Sequence, residues 1–255
     1  MIARHLLPSE KISAYVDRIL VIQENQVATP FVLPLYANGV PTILFTSAKG
    51  KLRNGSANHL HLFGQTIVPD NISLKKEFIL IAYFFKPYSL ISLFGVQAHE
   101  LTDHPLDLHL LFPKRSRDLE NRLVDSGDAG TMIEMLDEFI FYLINHAKND
   151  CERIKYAANR IMHDYSKESL VTVQKELHIT ERTFQRLFEK NIGVAPGMYR
   201  RICQFNASFT SLNNRRHLKL SDLAYQYGYA DQSHYIRAFK EFTNITPGEY
   251  LKFGS

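Results

Sequence analysis

Leu220-Ser-Asp-Leu-Ala-Tyr-Gln-Tyr-Gly-Tyr-Ala-Asp-Gln-Ser-His-Tyr-Ile-Arg-Ala-Phe-Lys-Glu-Phe-Thr-Asn-Ile-Thr-Pro-Gly-Glu-Tyr250 is the stretch from which the fold of the C-terminal half follows. Leu220, Leu223 and Ala224 recur at helical spacing, Gly228 supplies a turn, and Asp231 stands where an N-cap is wanted before Gln232. Tyr235, Ala238, Phe239 and Phe242 then mark the inner face of a second helix. Pro247 opens a third at the position where a missing N–H costs nothing.

The same unit occurs fifty-one positions upstream, with Arg186/Arg237, Phe188/Phe239, Pro196/Pro247, Gly197/Gly248 and Tyr199/Tyr250 in step. Leu170, Val173 and Leu177 form its supporting helix, Thr180 caps the next, and Phe184, Leu187 and Phe188 turn inward. Gly193 ends that helix and Pro196 begins a long connector through about Leu212. A structural helix over Glu152 to Tyr165 precedes the pair. Two short helices joined by a tight turn make a helix-turn-helix, and this chain carries two in tandem.

Charge is divided between the halves. Residues 1–150 hold 14 Lys/Arg against 16 Asp/Glu, and residues 151–255 hold 16 against 10, so the second half is the one suited to a polyanion. With 255 residues and 45% hydrophobic content, two packed domains are expected. No apolar run is long enough to span a bilayer and no signal-peptide core is present, so a soluble, cytoplasmic protein without membrane contact is expected. Cys151 and Cys203 have neither zinc spacing nor a disulfide framework.

The outward faces of the second helices offer Arg182, Gln185 and Arg186 in the first unit, and Gln232, Ser233, His234 and Arg237 in the second. Arginine pairs bidentately with guanine, glutamine with adenine, and Ser or His bonds bases or phosphates, which suits reading duplex DNA from the major groove. Residues 151–253 resemble the AraC/XylS family of bacterial transcription regulators, whose second helix-turn-helix signature residues 220–250 match almost throughout. The first unit resembles its counterpart more loosely, with Gln174 where a small residue is usual and His178 in place of the turn glycine. By motif position, the resemblance carries the family's base-contacting roles onto the same seven residues. It implies a sequence-specific transcriptional regulator, activator or repressor, that is not an enzyme. It further implies double-stranded DNA as partner, a homodimer, a small-molecule effector, and contact with RNA polymerase.

Upstream, Tyr15 to Gln23, Phe31 to Tyr36, Pro41 to Thr46, His59 to Ile67 and Glu77 to Phe85 read as strands of a β-barrel or sandwich. Pro87 begins a short helix through Phe94, and Arg115 to Val124 and Met132 to Ala147 read as amphipathic helices. The fold class is therefore α+β, with a β-rich domain over 1–112, a helical linker or dimerisation region over 113–150, and an all-α tandem helix-turn-helix domain over 151–255. Leu33 to Gly39, Gly64-Gln-Thr66 and Leu93 to Asp103 resemble the cupin-like sensor half of the same regulators, which implies effector binding or dimerisation.

His59 and His61 raise an alternative, a metal-dependent cupin-type enzyme fused to a DNA-binding domain, because histidines two apart on a strand point the same way. No carboxylate follows at the expected spacing, and His99, His104 and His109 fall in a loop. Neither metal nor cofactor is therefore expected. Gln174 and His178 motivate a third reading, a regulator that has become a protein-interaction partner without touching DNA.

Overall fold

The computed structural model describes residues 1–26, 29–53, 55–148, 151–214 and 219–253; the boundary expected at residue 150 lies outside them. The N-terminal half is a sandwich of two antiparallel sheets, not a closed barrel. Strands β1 (Ile2–Leu6), β2 (Val16–Glu24), β3 (Phe31–Leu35), β4 (Thr42–Thr46), β5 (Gly50–Leu52), β6 (Gly55–Ala57), β7 (Leu60–Phe63), β8 (Asp70–Leu74), β9 (Phe78–Phe85) and β10 (Leu106–Asp107) form it. One sheet runs β1-β2-β9-β4-β7-β10 and the other β3-β8-β5-β6.

The apolar run of β9 reflects burial on both faces, with side chains alternating across the sheet. Ile79, Ile81, Tyr83 and Phe85 face a core shared with α1 (Pro113–Ser126) and α2 (Ala129–Asn145). Phe78, Leu80 and Ala82 face the second sheet. Helix α2 is tied to this layer by Tyr83, whose hydroxyl donates to Asp137 at 2.7 Å. Pro34 is tolerated in β3 because that strand lies at a sheet edge.

Several elements depart from expectation. The strand expected over His59 to Ile67 stops at Phe63, because Gly64 packs on Leu101, where a Cβ would stand 2.7 Å from the Leu101 carbonyl oxygen. The helix expected from Pro87 is a single wide turn, Leu90–Phe94, closed by Gly95 at φ 71°. Strands β1, β5, β6, β8 and β10 were not anticipated; β1 is mostly exposed, and β5, β6 and β10 span two or three residues each.

Beyond Gly64, Gln65 is 1% exposed and neither end of its carboxamide finds a hydrogen-bond partner among the described residues. An unmet buried amide costs about 1–3 kcal/mol, whereas an apolar side chain of similar shape carries no such cost. Gln65→Met is therefore expected to raise unfolding stability by about 1 kcal/mol, read from the urea midpoint. A lowered midpoint would show that the amide is satisfied.

The C-terminal half contains α3 (Glu152–His163), α4 (Lys167–Glu176), α5 (Glu181–Ile192), α6 (Pro196–Asn213), α7 (Leu220–Gln226), α8 (Gln232–Thr243) and α9 (Pro247–Phe253). Phe205 on α6 stacks against Phe239 and Phe242 of α8, so the connector is part of the second unit's core. Ala37 and Tyr88 of the sandwich join this same apolar cluster. The two halves are thus packed together through α6, with Gly39 fitted against Ile202 and Tyr199.

Candidate nucleic-acid interface and effector cavity

Helix α5 starts where Thr180 accepts from the Thr183 N–H at 3.3 Å, and α8 where Asp231 accepts from the His234 N–H at 2.7 Å. These caps fix the N-terminal turns of the two candidate reading helices. Phe184 and Phe188 anchor α5 inward, while Leu187, expected with them, is only half-buried. Tyr235, Ala238, Phe239 and Phe242 anchor α8. Arg182, Gln185 and Arg186, and Gln232, Ser233, His234 and Arg237, are all exposed on the opposite faces.

Some surface cations elsewhere in this half are engaged. Arg201 pairs with Glu241, Arg160 with Glu176 at 4.0 Å, and Arg200 donates to the Tyr165 carbonyl at 2.6 Å. Arg182, Arg186 and Arg237 have no carboxylate partner among the described residues. Free guanidinium groups on two capped helices form a surface ready to accept phosphate or base-edge oxygens. Between the units, the 18 residues of α6 form a strut of about 27 Å.

The two units differ in finish. His178 takes the turn position with φ 51°, where Gly228 sits at φ 73° in the second unit. A left-handed residue with a Cβ is disfavoured by roughly 1–2 kcal/mol. Gln174 and Ile179 are half-buried where Ala224 and Tyr229 are buried, while Val173 and Leu223 are both buried and Leu170, Leu177, Leu220 and Tyr227 all half-buried. The first unit is instead secured from outside. The Thr102 hydroxyl donates to the Gly193 carbonyl at 2.8 Å, and the turn Ala98–Leu101 packs on α5.

A cavity of about 500 Å³ lies inside the sandwich, walled by Leu33, Leu44 and Phe84 from the sheets and closed by Asn206 and Phe209 of α6. Arg18 lies at its edge with its guanidinium 4.2 Å from the centre of the Phe84 ring, and burial depresses its pKa. Its carboxylate neighbour, Asp17, is 3.4 Å away and is held more closely by Lys86 at 2.9 Å. Sequence reasoning did not find this cavity, because its walls come from strands and a helix more than a hundred residues apart.

The candidate histidines of the sandwich each have their own surroundings. His59 Nδ1 is 2.7 Å from the Thr46 carbonyl, and His109 lies between Ser116 and Glu120, each at 2.9 Å. His61 is buried, and desolvation pushes its pKa down. Among the described residues no group of three or more His, Cys, Asp or Glu side chains could hold a metal ion. Nor is any described helix long and apolar enough to cross a membrane.

A family model described as "Helix-turn-helix domain" matches residues 173–252, and one described as "Domain of unknown function (DUF6597)" matches residues 4–107. No curated protein sequence matches the chain. The fold is similar to ToxT from Vibrio cholerae, at 15% identity and a TM-score of 0.54 over 92% of this chain and 97% of that one. ToxT bound to an unsaturated fatty acid superposes with the same score and identity, over 91% and 94% of the two chains. ToxT bound to (E)-4-(8-methylnaphthalen-1-yl)but-3-enoic acid gives 0.51 at 15% identity, over 92% and 98%. At such identities the likeness is one of fold.

Proposed function

We propose that this chain, an AraC-type helix-turn-helix protein in its C-terminal half, is a sequence-specific transcriptional regulator that reads two successive major-groove segments of one duplex. The observation that carries this reading is the pair of capped helices whose exposed outward faces carry guanidinium groups with no carboxylate partner among the described residues. Arg182, Gln185 and Arg186 read one segment; Gln232, Ser233, His234 and Arg237 read the other. Fluorescence anisotropy on the promoter beside its own gene tests this. Binding should be tighter than to a scrambled duplex and should weaken steeply with salt, because phosphate contacts release counterions. Equal affinity for both duplexes at every salt concentration would refute the reading.

The sandwich is the effector domain, and its cavity takes an apolar acid. Its volume is within the range of small-molecule sites, its walls are largely apolar, and Arg18 at its edge is a cation whose carboxylate neighbour, Asp17, is shared with Lys86. The acids bound to the ToxT fold support the same class. A ligand there touches α6, the strut of both reading helices, so occupancy bears on their placement. Oleate should raise the melting temperature of the wild-type chain by mass action. Leu44→Trp, which fills the cavity, should abolish the shift; a shift of equal size in that variant places the ligand elsewhere. The exposed Val124 of α1 and Phe141 of α2 mark the face proposed for the homodimer contact.

A further inference from the structure

A cleft of about 910 Å³ opens beside the contact between the turn Ala98–Leu101 of the sandwich domain and α5. Thr183, Arg186 and Lys190 line it from the helix at positions i, i+3 and i+7, a single row along the axis. Gln97 and His99 line it from the other side; both are exposed, and neither side chain has a hydrogen-bond partner among the described residues. We infer that the sandwich domain itself contacts DNA, with Gln97 and His99 donating to the phosphate strand that flanks the first reading helix.

The argument rests on the DNA-binding reading above. A helix seated in a major groove about 12 Å wide is bordered by phosphates on each side, so with Arg186 turned to the bases a strand beside α5 runs past Lys190 at the end of that row. The wall opposite that row must then face the same strand. It presents a carboxamide N–H and an imidazole N–H, both suited to phosphate oxygens. The one carboxylate lining the cleft, Glu189, is on α5 beside Lys190. Thr102 holds the wall at a set offset through its 2.8 Å hydrogen bond to Gly193, so the two donors move with the helix rather than independently of it.

The test uses the full chain, its own promoter duplex and a scrambled duplex, read by anisotropy across salt. Gln97→Glu and His99→Glu should each weaken binding to both duplexes by the same factor, roughly five- to tenfold at 0.1 M salt, because a phosphate contact carries no sequence information. Lys190→Gln should lower the slope of log affinity against log salt by about 0.9. Melting temperatures should match the wild type, since the substituted side chains are at the surface. Unchanged or tighter binding by the Glu variants, or a loss confined to the promoter duplex, overturns the inference while leaving the regulator reading intact. A wild-type chain that binds neither duplex overturns both.

Discussion

The double variant Arg186→Ala, Arg237→Ala is expected to lose about 2–6 kcal/mol of binding to its operator, on the order of 30- to 10,000-fold in affinity. Each guanidinium is a cation without a carboxylate partner among the described residues on one of the proposed reading helices, and a bidentate contact to guanine is worth about 1–3 kcal/mol. The two side chains stand on separate helices without shared partners, so their losses should add. Binding to a scrambled duplex should fall far less, and unfolding stability should be unaffected because both residues are exposed. Anisotropy on both duplexes measures this. A double variant within threefold of the wild type on the operator would show that the guanidinium groups do not meet bases.

Gly193→Ala is expected to lower unfolding stability by about 2–5 kcal/mol. Gly193 closes α5 at φ 98°, and an added Cβ would stand 2.7 Å from the Thr102 hydroxyl and 2.9 Å from the Ala98 carbonyl oxygen. The second of these is backbone and cannot swing aside. Gly228 provides the control: its φ is 73°, but the nearest atom to an added Cβ is the Gln204 side-chain nitrogen at 3.7 Å. Gly228→Ala should therefore cost only the backbone strain, roughly 1–2 kcal/mol. Urea unfolding of the two variants distinguishes them; equal losses would mean that the first helix-turn-helix is not seated against the sandwich.

The helical half was legible because local signals agree there: caps at Thr180 and Asp231, stops at Gly193 and Gly228, and inner faces spaced at the helical period. Arg182, Gln185, Arg186, Gln232, Ser233, His234 and Arg237 are exposed where the period put them. The long apolar strands β2, β4 and β9 were legible for a similar reason, since burial on one or both faces leaves a clear pattern. Strands β1 and β5 lacked that pattern, and β8, Asp70-Asn-Ile-Ser-Leu74, buries only Ile72 and Leu74. What the sequence could not display was how the halves meet. Ala37 and Gly39 read as part of a strand entry and Tyr88 as part of a short helix, yet they pack on α6, and Thr102 finds Gly193 ninety-one positions away.

That junction also makes the first unit's departures intelligible. His178 in a left-handed turn and the half-buried Gln174 and Ile179 stand where the second unit has Gly228 and the buried Ala224 and Tyr229. The sandwich clamps the end of α5, so the first helix-turn-helix leans on the N-terminal domain.

Hydroxyl-radical footprinting of the wild-type chain on its promoter tests the central claim most directly. Two protected tracts should appear on one face of the duplex, their centres about 10–10.5 base pairs apart, one for α5 and one for α8. A single tract, or two tracts on opposite faces, would contradict a pair of reading helices held in register by α6.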